Sequence, residues 1–176
     1  MRVVNLEPLR AAIRAIPDFP KPGIVFRDIT PVLGDPHCFC QVVDLLAETA
    51  AEFNPSKIVG IDARGFLFGA AVAYKLRMGF VPVRKRGKLP YQTIEFSYTL
   101  EYGQADMEMH VDAIQPGETV VLVDDLLATG GTSGAAIQLV QKLGGNVAAA
   151  LFFIELLELE GRSKLFGVPV QSLVQF

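Results

Sequence analysis

Four apolar residues, Val120-Val121-Leu122-Val123, run directly into two acids, Asp124-Asp125, and then into the turn Ala128-Thr129-Gly130-Gly131-Thr132. An uninterrupted apolar run of this kind is buried on both faces, as parallel strands are. The pattern predicts a strand over 119–123, a polar loop through Thr132 and a helix over 133–143 that stops at Gly144-Gly145. Parallel strands need crossover connections, so this stretch points to an α/β architecture.

The rest of the chain repeats the alternation. Lys57–Ile61 is a short apolar strand, Asp62–Gly65 a turn, Phe66–Arg77 a helix and Phe80–Val83 the next strand. That order is a βαβ unit. Val147–Ile154 is the last core strand, followed by a short helical piece and an extended tail. Asp35-Pro36 caps and opens a helix running to Phe53. Leu6, Leu9, Ile13 and Ile16 step along one helix face that Asn5 caps and Pro17 stops. Residues 17–36 carry five prolines and read as extended and irregular, yet Gly23–Asp28 is apolar enough to need cover. Residues 84–104 read as the least regular segment. In Ala105–Val111, Met107, Met109 and Val111 form a dry face, and Asp106, Glu108 and His110 a wet one. No repeat or linker divides residues 1–176, so a single domain is expected.

Composition removes several function classes. With 51% hydrophobic and 20% charged residues, the 176-residue chain belongs with folded globular proteins. Its longest apolar run, Val147–Ile154, falls short of the roughly 18 residues of a membrane span. The opening residues lack the apolar stretch of a secretory signal, and Cys38 and Cys40 cannot build a disulfide framework. A cytoplasmic setting is expected. A net charge of −3 argues against a nucleic-acid partner. Yet Arg84-Lys85-Arg86-Gly87-Lys88 places four positive charges in five residues, a sign of one local anion such as a phosphate. His37, Cys38 and Cys40 match no common metal-ligand spacing, so no protein metal site is expected.

The turn at 129–132 opens a helix, where free N–H groups and the helix dipole favour phosphate. Its glycines let the backbone close around the anion, and its threonine hydroxyls add donors. It is neither a G-x-x-x-x-G-K-[ST] loop nor a G-x-G-x-x-G turn. Two acids ahead of it suit the vicinal hydroxyls of a sugar carrying that phosphate, because a carboxylate accepts two hydrogen bonds.

The stretch Val120–Thr132 resembles the phosphoribosyl pyrophosphate (PRPP) signature of type I phosphoribosyltransferases. Pro17–Thr30 resembles the purine-covering segment of the adenine phosphoribosyltransferase family. Ile61-Asp62-Ala63-Arg64-Gly65-Phe66 resembles that family's pyrophosphate loop. Arg84–Pro90 and Leu100-Glu101-Tyr102-Gly103 resemble its flexible catalytic loop. The resemblance implies a type I phosphoribosyltransferase fold: a parallel central sheet flanked by helices, a small N-terminal hood within 1–35 and a flexible loop over 84–104. It implies transfer of the 5-phosphoribosyl group from PRPP to adenine, giving AMP and diphosphate, by a homodimer.

Roles follow from the same resemblance. Asp124 and Asp125 would hold the ribose hydroxyls, and Ala128, Thr129, Gly130, Gly131 and Thr132 the 5′-phosphate. Arg64, Arg84 and Lys88 would meet pyrophosphate, with contacts of the Arg84 and Lys88 kind able to cross a dimer interface; Arg64 would share in catalysis. Glu101 would be the general acid/base, with Tyr102 packing on the leaving group or sealing the site. Val25 and Arg27 would meet the adenine edge through backbone groups, Phe26 would stack on it, and Leu156 would form the opposite wall. Mg²⁺ would enter bound mainly through PRPP, with no protein ligand named.

Enzymes for 6-oxopurines usually carry an acid where this chain has Ala128, which argues against hypoxanthine and guanine. Xanthine and orotate enzymes remain alternatives, as does a PRPP-binding regulator of the same fold. Such regulators usually add a DNA-binding domain, and only about 16 residues precede the proline-rich hood.

Overall fold

The computed structural model describes residues 5–99 and 104–176. In chain order they form α1 (Glu7–Ala12), β1 (Arg14–Pro17), β2 (Val25–Asp28), α2 (Thr30–Gly34), α3 (Pro36–Ala51), β3 (Lys57–Ile61) and α4 (Gly65–Leu76). There follow β4 (Gly79–Lys85), β5 (Thr93–Thr99), β6 (Gln104–His110), β7 (Thr119–Leu127), α5 (Gly131–Lys142), β8 (Asn146–Glu155) and β9 (Val170–Gln175).

Seven strands form one sheet in the order β5-β6-β4-β3-β7-β8-β9. The five from β4 to β9 are parallel, while β6 runs antiparallel to β4 and β5 antiparallel to β6. Strand side chains alternate between faces, and β7 shows why its apolar run is unbroken. Val121 and Val123 pack with Leu46, Phe68 and Val72 from α3 and α4. Val120 and Leu122 pack with Ile137 and Val140 of α5 on the other face. Both faces are dry, so no polar residue interrupts the strand.

The topology creates the site. The β3-α4-β4 unit steps to one side of β3, and β7-α5-β8 steps away on the other. Right-handed crossovers in opposite directions put α4 and α5 on opposite faces. The reversal between β3 and β7 leaves a crevice at their carboxyl ends.

Asp35 caps α3 as expected, accepting from Cys38 N at 2.8 Å. Several sequence expectations are corrected. The first helix stops at Ala12, not Ile16, because Ile13 turns extended and Arg14–Pro17 pairs antiparallel with Val25–Asp28. The hood is therefore a two-stranded ribbon flanked by α1 and the short helix α2, and not an irregular segment. The 84–104 stretch contains the end of β4 and all of β5, joined to β6 as a hairpin. The tail past residue 155 adds β9 as a parallel edge strand beside β8. Glu108 does not sit on a wet face: it is 3% exposed. Its Oε1 accepts from Lys88 N and Leu89 N at 2.8 and 2.7 Å. Burial would push its carboxyl up, but the N–H groups of Leu89, Gly87 and Lys88 outweigh burial and hold it below the usual range.

Candidate active site

The crevice at the ends of β3 and β7 is a cleft of about 370 Å³. Ile61–Arg64 form one wall, and Asp124, Asp125, Leu126 and Ala128–Ser133 the other. The two acids lie on β7 itself, which runs to Leu127, and not on a loop after it. Strand pairing with β8 continues past them, at Asp124↔Phe152 and Leu126↔Ile154, so both carboxylates stand on a rigid base.

Asp124 is 8% exposed, and its Oδ1 accepts the Asp125 backbone N–H at 2.9 Å. Burial, then the charge of Asp125, pushes its carboxyl well above the usual carboxylate range. A Cβ on Gly65 would lie 2.4 Å from Asp124 Oδ1, so the glycine that opens α4 makes room for this acid. Asp125 Oδ2 is held by Arg64 Nε at 2.5 Å. The Arg64 guanidinium also lies 5.5 Å from the ring centre of Phe26, linking the cleft to the hood.

Gly130 adopts φ +77°, and a Cβ there would meet the Gly161 carbonyl oxygen at 2.2 Å. Only glycine suits this turn, for backbone angle and space together. Its carbonyl accepts from Gly134 N at 2.8 Å, starting α5 with the N–H groups of the first turn facing the cleft. Thr132 Oγ1 lies 2.8 Å from the Tyr98 hydroxyl of β5.

The remaining predicted residues lie around the cleft. Arg84, on β4, pairs with Asp62 Oδ2 at 2.9 Å and donates to the Lys88 carbonyl at 3.1 Å. Lys88 is exposed. Arg86 is engaged by Glu95 at 3.2 Å and Asp106 at 3.6 Å. Val25, Phe26 and Arg27 sit on β2, with Val25 45% exposed and Phe26 edge-on to Phe19 at 5.2 Å. Leu156 follows β8, its N–H donating to Leu127 O at 2.9 Å at the cleft end of the sheet. Glu101 and Tyr102 lie outside the described residues.

A family model for the phosphoribosyl transferase domain matches residues 36–164. That span holds the cleft but leaves out the hood. The adenine phosphoribosyltransferase of Carboxydothermus hydrogenoformans is 57% identical over 96% of this chain and 99% of its own length. That of Agrobacterium fabrum is 55% identical, covering 100% of this chain and 98% of its own. The chain belongs to the adenine phosphoribosyltransferase family. The structure of the Thermoanaerobacter pseudethanolicus adenine phosphoribosyltransferase superposes with a TM-score of 0.93 at 51% identity, over 98% of this chain and 100% of that one. The Saccharomyces cerevisiae adenine phosphoribosyltransferase, complexed with an iminoaltritol bisphosphate and adenine, gives 0.89 at 42%, over 95% and 97%.

In this adenine phosphoribosyltransferase family member, sequence reasoning gave no role to Asp62, Tyr98 or Glu108, which hold Arg84, Thr132 and the 88–89 backbone. Each acts over a separation of about 20 residues or more, and no local pattern signals such a pair. Burial of Glu108 is disguised further because a buried glutamate at period two looks identical to a solvated one.

Proposed function

We propose that the chain joins adenine to PRPP, releasing diphosphate and AMP, with the cleft between β3 and β7 holding the phosphoribosyl group. The observation that carries the reading is the buried acid pair Asp124–Asp125 on β7, running straight into a glycine turn at the start of α5. In this reading the carboxylates accept from the ribose 2′- and 3′-hydroxyls, and residues 128–132 receive the 5′-phosphate on N–H groups and the Thr129 and Thr132 hydroxyls.

The bond from the anomeric carbon to the pyrophosphate oxygen breaks, and its electron pair leaves with pyrophosphate. Adenine N9 supplies the pair for the new bond, and the N9 proton departs. Positive charge grows on the ribose ring, beside Asp124 and Asp125. Negative charge grows on the leaving group, where Arg64 leaves Asp125 to meet it, with Arg84 and Lys88 from the β4 side. Val25 and Arg27 backbone groups read the adenine edge, Phe26 and Leu156 cover its faces, and Glu101 relays the proton.

The donor set fits a substrate-borne Mg²⁺. Among the described residues no group of three His, Cys, Asp or Glu could hold a metal ion. In this reading substrate oxygens and water would hold the ion, as magnesium favours. When bound it neutralises diphosphate charge and improves the leaving group.

We place the active form in the cytoplasm as a homodimer. Among the described residues no helix is long and apolar enough to cross a membrane. Leu67 and Tyr74, seven residues apart on α4, are 45% and 88% exposed, an apolar strip suited to a second copy.

The test is pyrophosphate release with PRPP and Mg²⁺ against adenine, hypoxanthine, guanine, xanthine and orotate. Turnover with adenine alone is expected. Turnover with a different base would retain the PRPP site and reject the adenine assignment. PRPP binding without turnover would favour the regulator.

A further inference from the structure

Both proposed walls of the adenine pocket converge on one residue outside the cleft, Phe176. Its backbone is fixed at the end of the sheet: Phe176 N donates to Glu155 O, and Phe176 O accepts from Leu157 N, each at 2.9 Å. These two bonds embrace Leu156 from either side. Leu156 N, pointing the other way, donates to Leu127 O of β7 at 2.9 Å. The wall residue is thus suspended between β7 and Phe176.

The ring of Phe176 reaches the other wall. The Arg27 guanidinium carbon lies 3.9 Å from its ring centre, within cation–π distance. Arg27 Nε is buried and has no hydrogen-bond partner, so the ring contact is not backed by a hydrogen bond at that nitrogen. Arg10 of α1 lies 4.7 Å from the same ring and donates to the neighbouring Gln175 carbonyl. Successive side chains of a strand point to opposite faces. Phe26 therefore turns toward Arg64 and the cleft, while Arg27 turns away from it onto Phe176.

We propose that Phe176 is a positioning residue for the purine: it clamps hood strand β2 to the end of β8, fixing the spacing between Phe26 and Leu156. This rests on the adenine reading of the site. The clamp acts on the base half of the reaction and leaves the phosphate loop untouched.

Steady-state kinetics of Phe176→Leu, Phe176→Tyr and Arg27→Met, with the double variant Phe176→Leu/Arg27→Met, test it. Phe176→Leu should raise the adenine KM about fivefold, the size of one cation–π contact. The PRPP KM should stay within about twofold. Phe176→Tyr, which keeps an aromatic face, should restore the adenine KM. The double variant should add little to Arg27→Met alone, because the two side chains act through one contact. An unchanged adenine KM in Phe176→Leu overturns the proposal. So does an equal rise in both KM values with a lowered melting temperature, which marks a merely structural role. Should the unaltered chain fail to use adenine, the functional reading falls and the clamp with it. Should it use adenine while Phe176→Leu leaves that KM unchanged, only the clamp falls.

Discussion

Asp124 concentrates the conflict between stability and function in a single side chain. Its folded pKa is raised, first by burial and then by the charge of Asp125. A raised carboxylic acid contributes stability that is fully present below its ordinary value of 3.8 and is lost as pH rises through the folded value. The unaltered chain therefore gives up stability on the way to neutral pH. Asp124→Asn keeps the shape and removes the titration. Its melting temperature should exceed that of the unaltered chain at pH 7, with the gap closing as pH falls toward 4 in scanning calorimetry, while PRPP binding weakens. A variant less stable than the parent at pH 7 would contradict the raised pKa. The residue types at this site were legible in sequence, because an apolar strand ending in two acids and a glycine turn is an unusual local pattern. Their protonation was not, because it follows from burial by α4, whose opening glycine sits against the carboxyl.

At the scale of elements, the β8–β9 edge depends on Glu155. Its carboxylate takes Arg162 in two contacts at 2.5 and 2.7 Å, Ser172 Oγ at 2.5 Å and Gln175 Nε2 at 3.1 Å. The Arg162 hydrogen bond leads in pulling its pKa from 4.5 to about 2, against the cost of burial. Here the sign is opposite to that of Asp124. The stability is present above 4.5 and is lost as pH falls through about 2. Glu155→Gln should cost about 2 kcal/mol at pH 7, since one partner is buried and the other half exposed. Its acid unfolding below pH 4.5 should be shallower than that of the unaltered chain, as read by urea titrations at several pH values. Equal acid slopes would remove Glu155 from the account. The tail read from sequence as merely extended is tied into the sheet by this carboxylate, whose partners lie 7–20 residues away. The helices α3, α4 and α5 were legible within about two residues at their ends because caps, glycines and apolar periodicity are local signals. The hood ribbon and β5 were not, because a strand at a sheet edge or in a two-stranded ribbon carries little hydrophobic pattern of its own.

Across the whole molecule, the hood and the sheet differ in how they are held. A two-stranded ribbon is marginal alone, and β1–β2 depends on its packing against α1, α2 and the end of the sheet. Hydrogen–deuterium exchange should show residues 14–28 losing protection well before β3 and β7, with AMP slowing exchange in the hood. Hood protection equal to that of β7 would show one cooperative unit instead. The sequence by itself determined the α/β class, the parallel strands, the phosphate turn and the family resemblance. Each of these is written in contiguous residues, where apolar runs, glycines and caps act over a few positions. Only the tertiary structure decided that Arg64 rests on Asp125, that Glu108 is buried beneath residues 88–89, and that Phe176 lies under Arg27. These contacts join residues 19 to 149 positions apart. Their partners are chosen by strand order and by the direction of each crossover, which no short stretch of chain encodes.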